Sequence, residues 1–143
     1  MTTITAESSA IRAGSADATA LRRLRMVLTV NAITSFAGGA VGLAAAPWVS
    51  QELGFDHVAL TRIVSIGLML FAVDVALLAR TRAEHTIRWS AAVSAADLVW
   101  VAATIVLVAG GTLTTAGVVV ATVLGLGVLD FAVLQLWLRG RAA

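Results

Sequence analysis

Cysteine and lysine are missing from this chain, proline occurs once, and charged side chains are scarce. Without cysteine there is no disulfide framework, no thiol chemistry and no cysteine-ligated metal site. Only 13% of the 143 residues are charged and 59% are hydrophobic, against roughly 25% and about 45–50% in a soluble domain. These charges are too few to cover the surface of a water-soluble fold, so the sequence predicts a protein embedded in the lipid bilayer.

Sequence signatures of common catalytic and cofactor sites are absent as well. His57 and His85 both fall outside the apolar segments, which argues against haem held within a membrane. No glycine-rich phosphate loop, G-x-S-x-G or H-E-x-x-H motif occurs. The arginines flank the apolar segments instead of forming one basic face, so nucleic acid is not expected as a partner. We therefore expect no cofactor and no metal centre, and we favour a non-enzymatic role over an enzymatic one.

Four long apolar segments make up most of the chain. They cover about residues 26–49, 58–79, 89–109 and 114–138, each near the ~20 residues that a helix needs to cross the hydrocarbon core. Their continuous apolar character does not fit the ~10-residue alternating strands of a membrane barrel. The sequence predicts an all-α, four-helix transmembrane bundle at 21–143, after a disordered cytoplasmic tail at 1–20 that is rich in Ser, Thr and Ala.

The placement of arginine predicts the orientation of this bundle. Nine arginines lie in the N-terminal flank, in the connection between the second and third segments, or at the C-terminus. Arg62 alone lies on the other side, together with Glu52 and Asp56. Because an excess of positive charge marks the cytoplasmic side, both termini are expected in the cytoplasm.

Four strongly polar residues, one from each segment, lie at similar depths inside the spans: Asn31, Asp74, Asp97 and Asp130. Counted from the flanking arginines at about 1.5 Å per residue, all four lie roughly 9 to 13 Å from the same membrane surface. They are predicted to form one polar layer in the cytoplasmic leaflet and are candidates for binding a proton or a cation. Three carboxylates in one dry layer cannot all remain ionised without a cation.

Small and hydroxyl side chains share the helical faces of these polar residues. The supporting residues are Ser35 on the first helix, and Ser94, Trp100 and Thr104 on the third. The corresponding faces are Gly67, Phe71 and Asp74 on the second helix, and Gly127, Asp130 and Trp137 on the fourth. Small residues are typical of close helix contacts in bilayers, so all four faces are predicted to point into the bundle.

Two side chains near this layer have competing interpretations. Trp100, one turn from Asp97, would suit a cover over a bound cation, although a tryptophan in a helix core is the commoner case. Gln135 lies on the side of its helix opposite Asp130, near Gly117 and Gly125, where ordinary small-residue packing is expected.

A structural role for the whole layer is the main alternative. Protonated aspartates that bond to Asn, Ser or Thr on a neighbouring helix would stabilise the bundle by about 0.6–2 kcal/mol per bond.

A short internal repeat, the Phe-Ala-Val echo, also has two explanations. Residues 71–73 and 131–133 both read Phe-Ala-Val, and each is followed by Arg-x-Arg. Two tandem hairpins of the same orientation would explain the echo, and chance in an Ala/Val-rich chain is the simpler explanation.

A basic start with Asn31-Ala32, Phe71-Ala72 in a segment ending at Arg80, and the run from Asp97 to Trp100 together resemble small four-span integral membrane proteins of high-GC bacteria. The resemblance covers about residues 21–139. It implies the four-span fold and the cytoplasmic (inner) membrane of a bacterium, and it implies no activity.

Three functions are compatible with these features. The first is proton- or cation-coupled transport of a small solute, with the polar layer as binding site and a homo-oligomer as the working unit. The second is an accessory or assembly subunit that packs against a partner in a membrane complex. The third is an intramembrane isomerase or cyclase that acts on a lipid, with a protonated Asp as general acid.

Overall fold

The computed structural model describes residues 3–55 and 57–142, with side chains from residue 17 onward. Asp56 of the predicted acidic loop therefore lies outside the described residues, as do residues 1–2 of the predicted tail. The described part of the chain contains five helices and no strand: α1 (Thr3–Ala44), α2 (Ala46–Leu53), α3 (Val58–Leu78), α4 (Ala83–Ala109) and α5 (Thr115–Ala142). Residues Asp17–Ala44 of α1 and the whole of α3, α4 and α5 are long and apolar enough to cross a membrane. The predicted all-α bundle of four spans is confirmed.

The first span differs from its predicted limits at both ends. Helix α1 begins at Thr3, so the stretch 3–20, predicted as a disordered tail, is helical. Alanine and arginine favour helix, and a helix that already exists extends more easily than a new one nucleates. At the other end α1 stops at Ala44, five residues before the predicted limit, because Pro47 belongs to the first turn of the separate helix α2. Proline fits a first turn but not a helix interior, where its ring clashes with the preceding turn.

The four spans form a ring that is open on one side. Helix α1 packs against α3 and α5, and α5 packs against α4, whereas α3 and α4 contact each other only slightly. Helix α2 contacts α1, α3 and α5 at one end of the bundle, which we call the α2 end. The opposite end, with Arg25, Arg80 and Arg139, is called the arginine-rich end. The order around the ring is therefore α3, α1, α5, α4, with a gap between the last and the first.

Two helical hairpins are held together by small residues at their crossings. In the hairpin of α1 and α3, a Cβ built on Gly39 would lie 2.8 Å from the Ser65 carbonyl oxygen. In the hairpin of α4 and α5, a Cβ built on Gly125 would lie 3.3 Å from the Thr104 methyl group. The Phe-Ala-Val echo falls on α3 and α5, the second helix of each hairpin. This pairing is the one that two tandem hairpins require.

The arginine-rich end is closed by arginine side chains that bind the α3–α4 connection and the beginning of α4. Arg25 Nη2 donates to the Thr81 carbonyl oxygen at 2.7 Å, and Arg139 Nε donates to the Ile87 carbonyl oxygen at 3.0 Å. Beneath them lies an apolar cluster of Leu24, Leu28, Ala32, Val75, Ala79, Val93 and Leu138. The connection is thus fixed to α1, and the beginning of α4 is fixed to α5, even though α3 and α4 contact each other only slightly.

Candidate functional site

A buried carboxylate lies where three of the spans meet. Asp97 of α4 is 3% exposed. Asn31 of α1 donates from Nδ2 to Asp97 Oδ2 at 2.9 Å, and Gln135 of α5 donates from Nε2 to the same oxygen at 3.1 Å. These three side chains and the serines bonded to them are called the Asp97 network. Its two amide bonds join α4 to both α1 and α5.

Two serines fix the direction of those amides. Ser35 Oγ donates to Asn31 Oδ1 at 3.2 Å, and Ser94 Oγ donates to Gln135 Oε1 at 3.1 Å. Because each amide carbonyl accepts a hydroxyl proton, each amide NH₂ is turned towards Asp97. All donors of the network therefore converge on one carboxylate oxygen.

The second oxygen of Asp97 is in a different position. No hydrogen bond from the described residues reaches Oδ1, and no described arginine forms an ion pair with the carboxylate. Arg25 Nε is the one fully buried polar side-chain atom among the described residues that lacks a partner, so Oδ1 keeps some accessible surface. Oδ1 is consequently the carboxylate oxygen that is left without a hydrogen-bond partner among the described residues.

The sequence builds the network from residues spaced along one face of each helix. On α4, the buried face carries Thr86, Ser90, Val93, Ser94 and Asp97. On α5 it carries Gly117, Gly125, Ala132, Gln135 and Leu138. Spacings of three, four and seven residues keep such positions on one side of a helix. The small side chains bring the helices close enough for the amides to reach across.

The other two predicted carboxylates lie outside this network. Asp74 and Asp130 are both exposed on the outer surface of the bundle. The prediction that all four polar faces converge is therefore right for Asn31 and Asp97 and wrong for Asp74 and Asp130. Within the described residues, no group of three or more His, Asp or Glu side chains is arranged to hold a metal ion.

Helical register explains why the two aspartates turn outward. On α3 the buried residues are Thr61, Ser65, Ala72 and Val75, so the hydroxyl and small side chains face inward. Asp74 precedes Val75, lies about 100° from it round the helix, and points away from that face. Asp130 is five residues from the buried Gln135, about 140° round the helix. In both helices the aspartate was the wrong marker of the inner face.

Of the four supporting residues predicted from the sequence, two belong to the Asp97 network and two do not. Ser35 and Ser94 belong to the network, as expected. Thr104 donates to the Trp100 carbonyl oxygen of its own helix at 2.9 Å and takes no part in it. Trp100 is half-buried, and the two cation–π pairs of the described residues involve Trp89 and Trp137 instead.

Gln135 is the site residue that the sequence interpretation missed. Its side chain is fully buried and bonds to Asp97, whereas the sequence suggested ordinary packing. A signal was present, since Gln135 lies on the helix face of Gly117 and Gly125, and a face of glycines marks where a neighbouring helix comes close. A strongly polar amide on such a face needs a partner on that neighbour.

Asp74 lines a groove at the open side of the ring. It lies in a groove between α3 and α4 with a volume of about 410 Å³, whose other lining residues include Phe71, Leu78, Trp89, Ala92 and Ala96. We call this the α3–α4 groove. An ionised Asp at the bilayer centre costs about 2.5–3.5 kcal/mol on insertion scales. A cation placed beside a carboxylate on an apolar groove wall therefore stabilises its ionised form.

No protein-family model, curated protein or solved structure shows significant similarity to this chain.

Proposed function

We propose that the protein is a small multi-pass membrane carrier that couples movement of a solute to binding and release of a proton at Asp97. The Asp97 network is the observation that carries this proposal. A buried carboxylate without a counter-charge, held by two neutral amides, exists in two protonation states that differ by a full charge. This change of charge occurs at the junction of α1, α4 and α5.

Protonation changes the hydrogen bonding that this junction needs. Ionised Asp97 accepts the bonds from Asn31 and Gln135 and donates none. Protonated at Oδ1, it gains an O–H that needs an acceptor, while both amide carbonyls are turned away from Asp97 towards Ser35 and Ser94. A new acceptor, supplied by rearrangement or by a solute, would shift α4 relative to its neighbours. This is the kind of two-state element that coupling requires.

The membrane orientation forms part of the same proposal. Nine arginines flank the spans on the side of both termini, which supports a cytoplasmic location for the termini and for the arginine-rich end. The resemblance to four-span bacterial proteins supports the cytoplasmic membrane of a bacterium. Four spans are few for a complete pathway, so a homo-oligomer is the expected working unit.

The two other functions have weaker support. A lipid-modifying enzyme needs a positioned acid in contact with a lipid. Asp97 is only 3% exposed, and the exposed Asp74 and Asp130 have no hydrogen-bond partner among the described residues to position them. An accessory subunit would use the open side of the ring to receive a partner helix. Purification of a stable homo-oligomer without further subunits would count against that hypothesis.

Infrared difference spectroscopy between acidic and alkaline buffer tests the proton site directly. Wild type should show the carbonyl stretch of a protonated carboxylic acid that disappears in alkali, and Asp97→Asn should lack this band. Asp130→Asn is the matched control, because Asp130 lies outside the network. A band that persists unchanged in Asp97→Asn would remove the proton site from the proposal.

Transport is then measured in proteoliposomes that enclose a pH-sensitive dye. Alkylamines, amino acids and inorganic cations are added singly outside, and proton movement is recorded. At least one addition should move protons through wild type and not through Asp97→Asn. A folded Asp97→Asn variant that moves protons as fast as wild type would contradict the coupled-carrier proposal.

A further inference from the structure

The α3–α4 groove interrupts a ring that is otherwise closed by helix packing. In the hairpin arrangement, the contact of α1 with α5 is the counterpart of a contact between α4 and α3. The first contact is extensive and the second is slight. The groove therefore occupies a place that a fully packed bundle would fill.

The walls of the groove are apolar apart from one charge. The groove is open where α4 carries only the small side chains of Ala92 and Ala96. The rings of Phe71 and Trp89 form part of its lining. Asp74 is the one acidic residue of the lining, and no hydrogen bond or ion pair from the described residues engages it. Arg88 lies near this site, but its guanidinium is 5.7 Å from the Trp89 ring centroid and forms no ion pair with Asp74.

From this arrangement we propose that the α3–α4 groove binds a lipophilic organic monocation, with Asp74 as its counter-ion and Phe71 and Trp89 packed against its apolar body. A single carboxylate matches a single positive charge. Apolar walls favour an organic cation over a hydrated metal ion, and aromatic rings attract cations, especially those that are weakly hydrated. As a substrate site, this inference rests on the proposed carrier function; as a binding site, it can be measured without transport.

The size of the groove is that of a small-molecule site. Its volume of about 410 Å³ lies within the ~300–1,000 Å³ range of such sites.

Calorimetric titration of the purified full-length protein with tetraphenylphosphonium tests this site. Wild type should bind the probe saturably, with one site per chain. Asp74→Asn should weaken binding at least about tenfold, which corresponds to ~1.4 kcal/mol. Asp130→Asn, which removes the exposed aspartate outside the groove, should bind as wild type does. The neutral analogue triphenylphosphine oxide should bind wild type and Asp74→Asn equally weakly.

A second variant pair tests the shape of the site without changing charge. Ala92→Phe fills the groove and should abolish binding, whereas Ala103→Phe adds the same ring at an exposed position of α4 outside the lining and should not. Gel filtration and circular dichroism establish that each variant is folded. Absence of saturable binding to wild type, or equal affinity in wild type and Asp74→Asn, would overturn the proposal.

The outcomes separate this inference from the carrier function. Saturable binding that needs Asp74, together with no pH-dependent carbonyl band at Asp97, supports the groove and contradicts the coupled carrier. The carbonyl band without saturable binding contradicts the groove alone. A membrane protein that co-purifies and blocks the probe in wild type would assign the groove to a partner helix instead, and would likewise contradict the small-molecule site.

Discussion

Asn31 and Asp97 lie 66 positions apart in the chain, and their side chains are joined by a 2.9 Å hydrogen bond from Nδ2 to Oδ2. The bond links α1 of one hairpin to α4 of the other. Gln135 donates to the same oxygen, so a single atom of Asp97 connects three of the four spans. The effect of changing Asp97 should therefore depend on whether that acceptor is retained.

Asp97→Ala should destabilise the bundle, and Asp97→Asn should have a smaller effect. Alanine leaves the NH₂ groups of Asn31 and Gln135 without an acceptor in a buried site, which costs about 1–3 kcal/mol. Asparagine can place its carbonyl oxygen where Oδ2 stands and accept both bonds. Unfolding in mixed micelles measures the difference. Equal losses in the two variants would show that the hydrogen bonds do not stabilise the junction.

The bond between Ser94 and Gln135 should appear as a coupling energy. A double-mutant cycle of Ser94→Ala and Gln135→Leu should give about 0.6–1.7 kcal/mol, the range found for hydrogen bonds between membrane helices. Ser94→Ala combined with Ser50→Ala is the control, because Ser50 bonds to Thr61 near the α2 end and distant sites add independently. A coupling of zero in the first cycle would mean that Ser94 does not orient the amide.

The strongest polar residues mark the inner faces of α1 and α4, whereas weaker signals mark those of α3 and α5. On α1 and α4 the polar residues that mark the inner face, such as Asn31 and Asp97, are themselves the buried ones. On α3 and α5 the buried faces carry Ser65, Gln135 and other small or polar side chains, within helices that are otherwise largely apolar. Lipid tails are as apolar as leucine, so hydrophobic periodicity does not orient a helix in a bilayer. The aspartates of these two helices, Asp74 and Asp130, both face outward and do not mark the inner face.

The end of α1 at Ala44 could not be predicted from hydrophobicity either. Residues 26–49 form a continuous apolar run in the sequence, and only Pro47 signals that the helix cannot pass through. The structure turns there and lays α2 across the end of the bundle. The number of spans follows from apolar length alone, but the end of each span depends on single residues.

Gly39→Ala should destabilise the hairpin of α1 and α3 by about 1–3 kcal/mol, the usual cost of overpacking. The added Cβ would lie 2.7 Å from Met69 Cγ and 2.8 Å from the Ser65 carbonyl oxygen, and the backbone cannot yield as a side chain can. Gly67→Ala is the matched control on α3, where nothing lies within 4 Å of the added atom. Thermal unfolding in detergent compares the two. Equal stability of both variants would contradict the close contact.

Gly54→Ala should destabilise the protein more than Gly111→Ala does. Both glycines have positive φ, 86° for Gly54 and 66° for Gly111, and an L-residue in this region costs roughly 1–2 kcal/mol. At Gly54 the new Cβ would also lie 3.0 Å from the Thr112 carbonyl oxygen and from the Thr114 backbone nitrogen, whereas at Gly111 it would meet open space.

Gly111→Ala thus measures the backbone strain alone, and the extra loss in Gly54→Ala measures how closely the end of α2 approaches the connection between α4 and α5. The two melting temperatures should both fall, with the larger fall for Gly54→Ala. If both variants melt together, the cap of α2 and the α4–α5 connection do not touch in the folded protein.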